Sequence, residues 1–145
     1  MSFYTYAPFC ELVFVIGRRG IITIKILIVD DEEIILEEVS ETLTDEGYEC
    51  FVASNVRAAV DVVEAAPELS LIITDLRMPY ESGAGLIKIV EKKFRQDIKF
   101  IVMSGHAVPG FETDVIDLSL HHFLKKPLDV NNLLDMVGTV LATKK

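Results

Sequence analysis

From residue 21 onward, apolar and polar positions follow two alternating rhythms. The run IITIKILIV (21–29) is β-branched and apolar, as a strand buried on both faces would be, and it stops at Asp30-Asp31. Ile35, Val39 and Leu43 then recur four residues apart, with acids crowding the start of the segment and Gly47 closing it. That pattern predicts a helix whose first turn complements the helix dipole. YECFVAS (48–54) predicts a second strand, and Ser54 or Asn55 can cap a helix with Val56, Ala59, Val60 and Val63 on its inner face. Pro67 interrupts the chain before a third strand at 71–74. Gly83 and Gly85 precede a third helix carrying Leu86, Val90 and Phe94 on one face.

IKFIVMS (98–104) predicts the fourth strand, and a loop with Pro109-Gly110 leads to a short, weakly patterned helix near 111–118. HHFL (121–124) predicts the fifth strand. The last helix has Asp129 at its cap and Val130, Leu133, Leu134, Val137 and Leu141 turned inward. Five apolar strands alternating with amphipathic helices imply a parallel sheet covered on both faces. Right-handed crossovers make it a three-layer α/β sandwich. Residues 21–145 are expected to form this domain, preceded by an extension over 1–20.

Composition narrows the function. A chain of 145 residues with formal net charge −9 lacks the basic surface that sequence-independent nucleic-acid binding requires. Cys10 and Cys50 show no metal-ligand spacing; Cys50 reads as a small core residue, and both suit a reducing cytoplasm. No apolar run reaches the roughly 20 residues of a spanning helix, and the start lacks the form of a signal peptide. A soluble, cytoplasmic protein with no membrane or direct nucleic-acid partner is expected.

Parallel sheets collect functional groups beyond the carboxyl ends of their strands. Here the first strand ends in Asp30-Asp31, the third in Asp75, the fourth in Ser104 and the fifth in Lys125-Lys126-Pro127. Taken singly, these residues read as a helix cap, a turn residue, a loop hydroxyl and a surface charge. Taken together they place three carboxylates, a hydroxyl and an ammonium on one rim. Clustered carboxylates repel and favour a hard divalent cation such as Mg²⁺, which keeps positions open for phosphate oxygens. A carboxylate can attack phosphorus, and the transfer then needs positive charge and donors around the phosphoryl oxygens. Asp75, the acid outside the adjacent pair, is the expected nucleophile, with Lys126 and Ser104 each holding a phosphoryl oxygen.

Those motifs closely resemble the receiver domain of bacterial two-component response regulators, over about residues 23–143. ILIVDDEE resembles the acidic-pair strand and places Asp30 and Asp31 on the metal-site carboxylates. IITDLRMP, followed by Gly83, resembles the phosphoacceptor strand and loop; IVMSGH puts Ser104 at the switch hydroxyl, and FLKKP puts Lys126 at the lysine before proline. The resemblance implies a flavodoxin-like fold with five helices and sheet order 2-1-3-4-5. It further implies Mg²⁺-dependent transfer of a phosphoryl group to Asp75 from a histidine kinase or phosphotransfer protein. Arg77 would complete the metal site through its backbone carbonyl, Phe123 would be the aromatic switch, and the Lys126–Pro127 bond resembles one that is often cis. The domain would then regulate a downstream protein, and its only catalysis would be its own phosphorylation and dephosphorylation. Gly105 and Ser119-Leu120 depart from the residues usual at their positions, while Arg77 and His106 occupy positions that tune dephosphorylation.

Two other functions stay in view. One is an interaction module of the same fold that is never phosphorylated. The other is a Mg²⁺-dependent phosphohydrolase with Asp30 as nucleophile and Glu32 as acid/base. Because the chain ends at Lys145, soon after the last helix, no DNA-binding domain is expected to follow: either a stand-alone receiver or a piece of a larger regulator. Residues 1–20 admit three readings: a loosely packed or disordered extension, a local hairpin turning at Gly17-Arg18-Arg19-Gly20, or a homodimer contact.

Overall fold

The computed structural model describes residues 23–94, 97–105 and 122–143. Strand β1 (Lys25–Val29) leads to helix α1 (Glu33–Asp45), β2 (Glu49–Ala53), α2 (Val56–Ala65) and β3 (Leu69–Asp75). Two short strands, β4 (Arg77–Met78) and β5 (Glu81–Ser82), form a small antiparallel ribbon before α3 (Gly83–Lys93). The chain then supplies β6 (Lys99–Ser104), β7 (His122–Lys125) and α4 (Val130–Ala142). The main sheet is parallel with order β2-β1-β3-β6-β7. Once the ribbon is set aside, this is the expected 2-1-3-4-5 order. Four helices fall among the described residues; the helix expected near 111–118 and the extension over 1–20 lie outside them.

Alternate strand residues face opposite layers, so β1 supplies two cores. Leu27 and Val29 join Ile72, Phe100 and Val102 under α2 and α3. Ile26 and Ile28 join Leu71, Ile73, Ile101 and Met103 under α1 and α4. Burying both faces makes the inner strands largely apolar runs, with Asp30, Asp75 and Ser104 at or just past their carboxyl ends.

Several expected boundaries and faces shift. β3 starts two residues earlier than expected and includes Asp75, while β7, described over His122–Lys125, runs one residue past the expected end at 124. α1 buries Leu36, Val39 and Leu43, leaving Ile35 half-buried at the margin. α3 begins at Gly83 with Ser82 as its cap, so Gly83 and Gly85 lie in its first turn instead of before it. In α4 the buried positions are Leu133, Val137 and Val140; Leu141 is half-buried, and Val130, the first residue of the helix, is 54% exposed. The caps at Asn55 and Asp129 form as expected, each side chain accepting from the amide three residues on. Gly47 closes α1 with φ 99°, a left-handed conformation that favours glycine.

Candidate functional site

At the carboxyl edge of the sheet, β1, β3, β6 and β7 deliver Asp30, Asp75, Ser104 and Lys126 to neighbouring positions. Adjacent parallel strands bring together ends that are far apart in sequence: Asp75 pairs with Met103, and Ser104 with Lys125. The Lys126 amide donates to the Ser104 carbonyl at 2.8 Å, and the Lys126–Pro127 peptide bond is cis.

Asp30 is fully buried, and both its oxygens are engaged. Oδ1 accepts from the Glu32 amide at 2.9 Å, and Oδ2 accepts from Lys126 Nζ at 2.7 Å. Asp30 therefore shapes the turn into α1 without capping the helix; the cap residue is Glu32, which makes no side-chain cap bond. Asp31 is exposed beside it. Lys126 Nζ also lies 3.4 Å from Asp75 Oδ1 and 3.4 Å from Glu32 Oε1. The ammonium thus sits among three acids.

Burial is the main force pushing the Asp75 carboxyl up to about 6, and the charge of Asp30 adds to it, against the pull of Lys126. Burial opposes the charge on Lys126 as well. The hydrogen bond to Asp30 and the fields of Asp75, Asp30 and Glu32 outweigh it, so the lysine is held above its ordinary range. A lysine held charged beside a carboxylate that ionises reluctantly marks a place short of positive charge. Asp30, Asp31 and Asp75 each offer a carboxylate oxygen, all within 4.8 Å of one another. An all-oxygen donor set of that size suits a hard divalent cation and fits the Mg²⁺ expected from the sequence.

The loop after Asp75 is tightly closed. Leu76 N donates to Met103 O at 2.8 Å, and Gly83 N donates to Leu76 O at 2.9 Å. Arg77 pairs with Ser82 and Met78 with Glu81; the turn between them passes through Tyr80, at φ 68° and fully exposed. Arg77 has an exposed side chain, and its backbone is held in the ribbon opposite Ser82. A Cβ on Gly83 would fall 2.3 Å from the Asp75 carbonyl oxygen, which Thr74 Oγ1 also approaches at 3.0 Å. Only glycine permits that approach.

Ser104 is buried at the end of β6. It stands two residues beyond Val102, which pairs with Phe123, so the three side chains leave the same face of the sheet. Phe123 is half-buried against the core beneath α2 and α3. Cys50 is half-buried, and burial pushes its thiol up, in keeping with a packing role. His122 is exposed on β7, whereas Cys10, His106 and His121 lie outside the described residues.

The structure thus gathers Asp30, Asp31, Asp75 and Lys126 into one cluster and sets Ser104, Phe123 and Arg77 on the strands and ribbon around it. Sequence reasoning gave Glu32 a part only in the phosphohydrolase reading, where the structure sets it beside Lys126; it took Gly83 as a helix start and as the glycine following the phosphoacceptor motif, and it did not single out Glu81. A glycine eight residues past the acid was a usable signal for Gly83. Nothing local distinguished Glu81 from a surface glutamate.

A doubly wound parallel domain with an acid cluster and a lysine on its carboxyl edge is a class of fold used in phosphoryl signalling. The family model for the response regulator receiver domain matches residues 26–138. Response regulator RR06 of Streptococcus pneumoniae is 30% identical over 117 residues, covering 81% of this chain and 52% of that protein. Chemotaxis protein CheY of Treponema pallidum is 30% identical over 122 residues, covering 81% of this chain and 82% of that protein. A crystal structure of a response regulator receiver protein from Pseudomonas putida superposes with TM-score 0.74 and 31% identity, covering 83% of this chain and 99% of that one. The chain belongs to the response regulator receiver domain family of two-component systems. It spans about half of the pneumococcal relative and 23% of an NtrX-like relative from Rickettsia typhi. Among the described residues, no helix is long and apolar enough to cross a membrane.

Proposed function

We infer that this receiver accepts a phosphoryl group on Asp75 from a phosphohistidine of a sensor kinase or phosphotransfer protein, and that the modified state acts on a downstream protein partner. The observation that carries this reading is the position of Lys126 Nζ, 2.7 Å from Asp30 and 3.4 Å from Asp75, beside three carboxylates that converge within 4.8 Å. Asp75 is the better nucleophile, because both oxygens of Asp30 are already engaged. That same engagement argues against a phosphohydrolase in which Asp30 attacks.

Asp30, Asp31, Asp75 and the backbone carbonyl of Arg77 would hold Mg²⁺. When bound, the ion supplies the positive charge that lets phosphoryl oxygens sit among acids. An oxygen of Asp75 attacks phosphorus in line as the phosphorus–nitrogen bond to the donor histidine breaks. The electron pair returns to the ring nitrogen, which takes up a proton. Lys126 holds one phosphoryl oxygen through its ammonium and Ser104 another through its hydroxyl. Drawing Ser104 toward the phosphoryl group opens space on the face it shares with Phe123, and inward movement of that ring carries the signal to the surface beyond β7. Such a phosphorelay operates in the cytoplasm, without direct nucleic-acid or membrane contact by this domain, and a homodimer is one form its output can take.

Incubation with acetyl phosphate, with and without Mg²⁺, tests the reading by intact mass. Mg²⁺-dependent labelling of the wild type, absent in Asp75→Asn, is expected. Labelling of the mutant at the wild-type level would overturn the assignment, and failure of Mg²⁺ with beryllofluoride to perturb the protein would favour an unphosphorylated interaction module.

A further inference from the structure

The N-terminus of α2 is satisfied from a distant part of the chain. Asn55 caps it by accepting from Ala58, but the first turn holds no acid, and it carries Arg57, whose charge opposes the helix dipole. The missing acid arrives from 25 residues away: Glu81 Oε1 accepts the Val56 amide at 3.1 Å. Glu81 belongs to β5, and it pairs with Met78 next to Arg77, the residue whose carbonyl is assigned to the metal site. The far end of this ribbon is a turn through Tyr80, which is fully exposed and in the left-handed region, so its side chain gives the loop no packing. One side of the ribbon is held by Leu76, Gly83 and the buried Met78, and the other is held to α2 by Glu81.

We propose that Glu81 is a positioning residue for the metal site: by accepting the Val56 amide it clamps the β4–β5 ribbon and thereby holds the Arg77 carbonyl for the cation bound by Asp30, Asp31 and Asp75. The proposal rests on the Mg²⁺ reading of that cluster and adds the element that pre-arranges its one backbone ligand. A charge-assisted bond to a helix N-terminus is stronger than a neutral one, which suits it to this task. Outer supports of metal ligands commonly govern affinity by tenfold or more.

Mg²⁺ titration by calorimetry, with circular dichroism as the check on folding, tests it through three single variants and one double variant. Glu81→Ala should weaken Mg²⁺ binding by about tenfold. Glu81→Gln should stay within about twofold of wild type, because its amide oxygen accepts the same bond. Val56→Pro removes the donor and leaves the Glu81 charge in place; it also alters a core side chain, so its fold is checked alongside. Proline suits the first helical position, and Asn55 already has the extended backbone required before it. Val56→Pro should match Glu81→Ala, and the double variant should lose nothing further. In metal-free protein, hydrogen exchange across 77–82 should accelerate in both single variants.

Wild-type protein that takes up no Mg²⁺ overturns the metal-site reading and the proposal with it. Tight wild-type binding that is unchanged in Glu81→Ala and Val56→Pro overturns the positioning role alone. Loss in Glu81→Ala and Glu81→Gln but not in Val56→Pro reduces Glu81 to a distant charge and also overturns it. If Glu81→Ala does not fold, the comparison of Glu81→Gln with Val56→Pro decides.

Discussion

Lys126 Nζ donates to Asp30 Oδ2 at 2.7 Å across 96 residues of chain, joining the end of the inner strand β1 to the residue that follows the edge strand β7. The Asp30 side chain is fully buried and that of Lys126 only 15% exposed, so neither charge can fall back on water. Lys126→Ala should therefore destabilise the metal-free protein by about 2–4 kcal/mol, chiefly by leaving Asp30 buried without its cation. Mg²⁺ should restore part of the loss, so the rise in melting temperature on adding Mg²⁺ should be larger in the variant than in wild type. The variant should bind the ion yet fail to switch when phosphorylated. Equal Mg²⁺ shifts in the two proteins would mean that Lys126 does not neutralise the cluster.

Asp75 carries the opposite sign of linkage from most aspartates. Its folded-state pKa of about 6 lies above the ordinary value, so its contribution to stability is fully present below the unfolded value and is lost as pH rises through about 6. Metal-free wild type should thus lose stability relative to Asp75→Asn between roughly pH 4 and pH 7. At neutral pH the Asn variant should melt a few degrees higher. Thermal melts of both proteins across that range in chelator measure it; a constant difference would show that Asp75 ionises normally.

The same titration governs chemistry, because only the carboxylate attacks phosphorus. Labelling by acetyl phosphate at low Mg²⁺ should fall as pH drops through about 6. Saturating Mg²⁺ stabilises the ionised form and should move that fall to lower pH. An apparent pKa independent of Mg²⁺ would separate the titrating group from the metal ligands.

Gly83→Ala would place a Cβ 2.3 Å from the Asp75 carbonyl oxygen, a backbone atom that cannot swing away. Displacement of β3 or α3 should cost more than about 2 kcal/mol, in the range of overpacked cores, and should slow labelling at Asp75. Urea unfolding and the acetyl phosphate assay report the two effects. A variant as stable and as readily labelled as wild type would show that the contact relaxes without consequence.

Tyr80 holds φ 68° with its ring fully in solvent, so strain there is not offset by packing. Tyr80→Gly should leave stability unchanged or raise it by up to about 1 kcal/mol, since relief of strain competes with the greater freedom of glycine in the unfolded chain. Tyr80→Val should be destabilising, because β-branching makes the left-handed region worse. Equal melting temperatures for the two variants would place the cost of this turn elsewhere.

The sequence by itself determined the strands, their parallel arrangement and the acids at their ends, while their order across the sheet followed from the family resemblance. A strand buried on both faces must be apolar, so Asp30, Asp75 and Ser104 stand out as polar side chains at the ends of apolar runs, buried though they are. Periodicity was less reliable for the helices. Ile35 and Leu36 are both apolar, and only the docking angle on the sheet decided that Leu36 lies under α1; the same holds for Val140 and Leu141 in α4. Val130 matched the helical spacing but, as the first residue of α4, is 54% exposed. Tertiary structure alone decided which charges meet. Lys126 reaches Asp30 because β1 and β7 end at one rim, and Glu81 reaches Val56 because the ribbon folds back beside α2. A glutamate that caps a helix 25 residues away looks in sequence like any surface acid, because a hydrogen bond between distant segments leaves no local pattern.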